Sequence, residues 1–197
     1  MKTLLSFLVL LFTTSAFGQT IEQLQAKAKD LKANKDLIIA YDKYKDLSQV
    51  LTKPYNLVGT MEGGAIEAFG GGRMAMVLVV DARYIFRGQK FDHDSNKLYL
   101  EFASMSKDWR YLKGDNKAYI LYDDKRLELR PVAGDSNVHA LLGDVSVSET
   151  ILFEISREDL AAIAAAKDVS FKLNDKPRKF KSELLERFQK LLTVTAQ

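Results

Sequence analysis

The sequence predicts an α+β fold: a single domain with a mainly antiparallel β-sheet, a C-terminal helix-strand-helix unit packing on it, and an N-terminal helix. Three observations lead there. Apolar residues recur at helical spacing only near the two ends, while the middle of the chain alternates with the period of two that marks strands. Strands in succession followed by helices is the α+β order, unlike the regular strand–helix alternation of parallel sheets. The last helix carries a wide apolar stripe, Phe180, Leu184, Leu185, Phe188, Leu191 and Leu192, broad enough to cover a sheet face.

Residues 1–18 read as a secretory signal peptide. Lys2 gives a positive start, Leu4 to Phe12 an apolar run broken only by Ser6, and Ala16 and Gly18 the small residues of a cleavage site. The run is too short to cross a bilayer, which takes about 20 apolar residues. The expected organisation is signal peptide 1–18, N-terminal helical segment 19–36 and a single α+β domain 37–197. The expected location is outside the cytoplasm, in the periplasm or the medium, with Gln19 as the mature N-terminus.

In the mature chain, Ile21, Leu24, Ala28 and Leu31 predict a helix from Thr20 to about Lys35, with a stripe narrow enough for a loosely packed arm. Leu37 to Tyr41 is a short apolar run. Tyr44 to Val58 has strand character, bent or placed at an edge by Pro54. The glycine-rich segment from Gly59 to Gly72 predicts a loop. Met74 to Val80 predicts a strand buried on both faces. Its continuation alternates, with Ala82, Tyr84 and Phe86 on one side and Arg83 and Arg87 on the other. Leu98, Leu100 and Phe102 share a face of the next strand. Ala118 to Tyr122 and Arg126 to Arg130 read as a hairpin, and Val145 to Ile155 as a strand with Val145, Val147, Ile151, Phe153 and Ile155 inward. Ser156 and Asp159 mark the start of an Ala-rich helix ending near Ala166. Val169 to Leu173 is a short strand closed by Asn174, Asp175 and Pro177, and Ser182 to Leu192 is the last helix.

Composition excludes several chemistries. The chain has 29 Lys and Arg against 26 Asp and Glu, interspersed, which is too balanced to argue for nucleic acid as a partner. With no cysteine it has no thiol nucleophile, no thiolate metal site and no lipid-bearing cysteine after the signal. No stable membrane insertion is expected.

Five features of the sequence bear on possible sites. Asp92-His93-Asp94-Ser95-Asn96 opens like a calcium loop, but Lys97 stands where the turn glycine belongs and Ala103 where the bidentate Glu belongs. A polar turn explains it better. Gly134-Asp135-Ser136 resembles the nucleophile block of one class of secreted esterases, whose histidine lies late in the chain. Here the only histidines are His93 and His139, and His139 falls three residues after Ser136 in what reads as one loop. Gly70-Gly71-Gly72 precedes a strand and lacks the Lys-Ser/Thr of a phosphate cradle. Trp109, the only tryptophan, is either a core end-piece or an interface anchor. The basic stretch from Lys167 to Lys190 fits a membrane-surface helix, yet its stripe suits core packing. No catalytic, cofactor-binding or metal-binding residue is assigned, and no cofactor is expected.

Region 108–192 resembles a group of uncharacterised exported bacterial proteins. The residues that carry the likeness are Asp108-Trp109-Arg110-Tyr111-Leu112, the hairpin after them, Ile155 to Leu160, Ala164 to Lys167 and Val169 to Leu173. The resemblance implies a bacterial envelope or secreted protein and carries no residue roles. The leading expectation is a non-catalytic binding or interaction module, with an envelope or extracellular protein or a small ligand as partner. Its contact surfaces are expected at Gly59–Gly72 and Trp109. The alternative is a carboxylate-dependent hydrolase of the cell envelope.

Overall fold

The computed structural model describes residues 18–58, 77–92, 94–107, 109, 112, 114, 116–141, 144–174 and 176–196. Residues 1–17 of the expected signal peptide 1–18 and the glycine-rich segment 59–72 lie outside them. A two-residue strand, β1 (Gln19–Thr20), runs directly into helix α1 (Ile21–Asp30). Thr20 starts the helix with a complete capping box: its hydroxyl accepts from Gln23 N–H at 3.2 Å, and Gln23 Oε1 accepts from Thr20 N–H at 2.8 Å. Ile21, Leu24 and Ala28 are buried in the same core as the rest of the chain, so α1 is an integral element and not a loose arm. It stops at Asp30, short of the expected Lys35, where Lys32 takes a left-handed φ of 53°.

Strands β2 (Leu37–Asp42) and β3 (Leu47–Thr52) form a hairpin, and β4 (Tyr55–Val58) follows after a bend at Pro54. Both β3 and β4 pair with one strand, β5 (Val77–Arg87): β3 along Arg83 to Arg87 and β4 along Leu78 to Val80. The bend interrupts the ladder, and side chains close the gap. Thr52 Oγ1 accepts from Ala82 N–H at 3.1 Å. Arg187, far along the chain, donates to the carbonyls of Lys53 and Pro54 at 3.1 and 3.4 Å. Beyond Gly88, whose φ of 72° suits glycine, β6 (Lys90–Phe91) pairs with β1.

The remaining elements are β7 (Leu98–Ser106), β8 (Ala118–Tyr122), β9 (Lys125–Leu129), β10 (Pro131–Leu141), β11 (Asp144–Ile155), α2 (Arg157–Ala165), β12 (Val169–Leu173), β13 (Lys176–Lys179) and α3 (Ser182–Val194). They complete a single domain of mostly antiparallel sheet with three helices among the described residues. A seven-stranded sheet has the order β10-β11-β7-β5-β3-β2, with β4 also on β5. A four-stranded sheet has the order β13-β12-β8-β9.

The two sheets form opposing layers. The large sheet buries Leu78, Val80 and Ala82 of β5, Leu100 and Phe102 of β7, and Ile151 and Phe153 of β11 on one face. A ladder of rings crosses from there into the second layer: Phe153 to Phe102 at 5.8 Å, Phe102 to Phe171 at 5.2 Å, Phe171 to Phe180 at 4.9 Å and Phe180 to Phe188 at 6.1 Å. It joins the large sheet, the small sheet and α3 in one line. At the end of α3, Arg157 donates to Tyr84 Oη at 3.0 Å, to Thr195 Oγ1 at 2.8 Å and to the Leu192 carbonyl. A cation thus satisfies the carbonyl end of the helix, where the macrodipole favours it. Lys190 bonds Asp36 Oδ2 at 2.6 Å. Partial burial pushes the Asp36 carboxyl up, but Lys190, Lys35 and Arg187 outweigh it and hold it below its ordinary 3.8.

Three expectations need correction. The segment around Gly134 to His139 is not a loop but the eleven-residue strand β10. Its turn-forming residues adopt strand geometry because β11 pairs with them along nearly its full length. Val145, expected inward, is 49% exposed, at the end of β11 that runs past its last pairing with β7 at Val147. Pro177 does not end the sheet: it sits in β13, an edge strand where a missing N–H is tolerated. Phe171→Ala should remove about 3–5 kcal/mol of stability in urea unfolding, because the ring bridges both layers. Tyr44→Ala, at a position 89% exposed, should stay within about 0.5 kcal/mol.

Candidate functional site

In the small sheet, alternate residues must face opposite ways. Ala118, Ile120, Phe171 and Leu173 point into the core. Tyr119 and Leu121 of β8 and Ser170 and Lys172 of β12 therefore face out, beside Arg126 of β9 and Pro177 of β13. These six residues, together with Phe171 between Ser170 and Lys172, line a groove of about 480 Å³. Leu121 is 48% exposed in it, and the Arg126 guanidinium lies 4.6 Å from the Tyr119 ring centroid. Arg126 and Lys172 are both exposed, and neither has a carboxylate partner among the described residues. The nearby Glu128 is engaged instead by Lys117 at 3.7 Å and Arg130 at 3.6 Å. The groove thus combines an apolar, aromatic floor with two uncompensated cations.

A second polar cluster lies on the face of the large sheet that looks away from the core. Asp81 and Glu101 stand directly opposite each other on β5 and β7, an unfavourable placement for like charges. Arg83 resolves it. Its Nε and Nη2 donate to Asp81 at 2.7 and 2.6 Å, and Nη2 also to Glu101 at 2.8 Å. Burial raises both carboxyls above their ordinary 3.8 and 4.5, and the guanidinium only partly offsets this. Burial also works against the Arg83 charge, but the Asp81 hydrogen bond and the two negative charges outweigh it and raise its pKa. The two converging carboxylates of a hydrolase are present here in kind, but both are directed at Arg83.

A third carboxylate, Glu149, is 1% exposed on the core face of β11 and accepts from Leu112 N–H at 2.8 Å, which ties that segment to the sheet. Sequence reasoning passed over Asp81, Glu101 and Glu149. The available signal was an acid inside an apolar strand, or at an inward position of one.

The structure separates the motifs singled out in the sequence. Ser136 and His139 fall on opposite faces of β10, so they form no nucleophile–base pair. His139 Nε2 instead lies 3.1 Å from Ser148 Oγ. The Asp92 carboxylate accepts from Asp94 N–H at 3.0 Å and from Ser95 Oγ at 2.9 Å, which builds a turn. Among the described residues no group of three or more His, Asp or Glu is placed to hold a metal ion. Trp109 is half-buried. The apolar stripe of α3 is buried in the core, which leaves it no apolar face for a membrane surface. No helix among the described residues is long and apolar enough to cross a membrane.

No protein-family model, curated protein or solved structure matches the chain.

Arg83→Met should destabilise the fold by about 3–5 kcal/mol at neutral pH, because it strands two buried carboxylates. The sign with pH follows from their raised values. As pH falls through those values the native chain takes up protons before the unfolded one, so the carboxylates' contribution to stability improves on acidification and worsens as pH rises. The Arg83→Met penalty in chemical unfolding should therefore be smaller at about pH 5 than at about pH 7. An equal penalty at both would mean that the stranded charges are not its source.

Proposed function

We propose that the chain is an exported, non-catalytic binding module of the bacterial periplasm or exterior. We further propose that it takes an amphipathic anion in the groove on the outer face of the four-stranded sheet. The groove carries this reading. Arg126 of β9 and Lys172 of β12 flank β8 with two cations that have no carboxylate partner among the described residues, and Tyr119, Leu121 and Pro177 offer the apolar surface for the body of such a ligand. Placement on paired strands supports binding over catalysis: the side chains are held rigidly, and none of the six is a histidine or a carboxylate fit for proton transfer.

The C-terminal helix-strand-helix unit serves as the support in this reading. Strand β12 presents Ser170 and Lys172 to the groove, while Phe180 and, behind it, Phe188 of α3 back Phe171 from the core side. Export is favoured by the signal-like residues 1–18 and by the likeness of region 108–192 to exported bacterial proteins. Gln19 already pairs with Phe91, so a chain trimmed after Gly18 keeps every strand and helix described above.

An amphipathic aromatic sulfonate dye tests the groove. Its fluorescence should report binding to the folded chain, and Arg126→Ala should weaken it by about fivefold, roughly 1 kcal/mol. Tyr119→Ala should act in the same direction. Unchanged affinity in both variants would move the site elsewhere. Intact-mass measurement of the secreted protein tests export: the mature chain should begin at Gln19, and a retained leader would defeat that part of the reading.

A further inference from the structure

The register of the small sheet fixes how the two cations of the groove stand to each other. On its outer face Arg126, Leu121 and Ser170 form one row across β9, β8 and β12, and Glu128, Tyr119 and Lys172 form the next. Arg126 starts in the first row but leans into the second, since its guanidinium lies over the Tyr119 ring, 4.6 Å from the centroid. Lys172 stands directly opposite Tyr119 on the adjoining strand, about 5 Å away. The guanidinium thus sits above the strand next to the one that carries Lys172, and one small anion can reach both side chains. Contact with the ring face uses none of the guanidinium N–H donors, which stay available to that anion. Glu128, in the same row, is engaged by Lys117 and Arg130. Ser170, two residues before Lys172 on the same face, adds a hydroxyl donor, and exposed Leu121 leaves an apolar surface beside it.

We infer that the anionic end of the groove's ligand is a phosphomonoester dianion, carried on an apolar body that rests on Leu121. This rests on the groove reading above and narrows it from anions in general. A sulfonate, a carboxylate or a phosphodiester brings a single negative charge, which matches only one of the two cations. A phosphomonoester carries close to two charges near neutral pH and several strong acceptor oxygens. It takes hydrogen bonds from the Arg126 guanidinium, the Lys172 ammonium and the Ser170 hydroxyl together, and charge-assisted bonds of this kind are the stronger ones.

Displacement of the sulfonate dye from the purified chain at about pH 7.5 tests it. The competitors are phenyl phosphate and its methyl ester, which has the same aromatic body but a single charge. Phenyl phosphate should displace the dye at about fivefold lower concentration. Lys172→Met should bring the two competitors together and Lys172→Arg should restore the gap, with circular dichroism unchanged in both because the side chain is exposed. Equal displacement by the two competitors in the wild-type chain would overturn the inference, as would a preference that survives Lys172→Met. The groove itself would stand in either case, provided the dye still depends on Arg126 and Tyr119; a dye indifferent to both would defeat the two readings together. Co-sedimentation with phosphatidate vesicles but not phosphatidylglycerol vesicles would support the inference with a lipid headgroup as the source. Binding of phenyl phosphate with no sedimentation on either would support it with a soluble phosphomonoester. Equal sedimentation with both would count against it, because charge alone would then suffice.

Discussion

The contact between Phe102 and Phe171 is the constraint on which the rest depends, because it joins the two sheets. Each ring is buried, and each has a further ring behind it: Phe153 in the large sheet, Phe180 and then Phe188 toward α3. Aromatic pairs at such distances add about 0.5–1.5 kcal/mol beyond the area they bury. The consequences reach the opposite surface through the pleat. With Phe171 inward, Ser170 and Lys172 must face out; with Ile120 inward, Tyr119 and Leu121 must face out. The groove is the reverse side of the core, and its side chains are fixed as firmly as the phenylalanines behind them.

The large sheet solves a different problem. Its core face is held by apolar packing, but a slip of two residues between β5 and β7 would keep that face apolar. A slip in one direction would set Arg83 opposite Lys97 and Asp81 opposite Tyr99, and in the other Asp81 opposite Ala103, so either slip breaks up the Asp81–Glu101 apposition that Arg83 bridges. Buried charge of this kind adds little net stability, since desolvation offsets the attraction. Its effect is to penalise a misregistered sheet that hydrophobic pattern alone tolerates. The same division recurs at the Pro54 bend, where Thr52 and Arg187 satisfy groups that a regular ladder would have paired.

Much of this was legible in the sequence where burial imposes a period. Tyr84 and Phe86 alternate with Arg83 and Arg87 as the pattern requires, and Ser156 and Thr20 stand where helices begin. The stripe of α3 reads directly from Leu184, Phe188 and Leu191. The groove was not legible. Tyr119, Arg126 and Lys172 are far apart along the chain and look like ordinary outward residues of separate strands. Only the pairing of β8 with both β9 and β12 brings them together. The Asp81–Glu101 apposition was hidden for the same reason, since it depends on the β5–β7 register.

Strand β10 was hidden for another reason. Sequence patterns record burial: a strand shows its period because one face must be apolar. A strand with little of either face buried carries no such period, and glycine, aspartate, serine and asparagine then read as a turn. Residues Gly134 to Asn137 are of that kind. Their strand conformation comes from β11, whose own inward residues Val147, Ile151 and Phe153 are fixed by the core. Among the described residues β10 is thus held in extended form through its pairing with β11 alone.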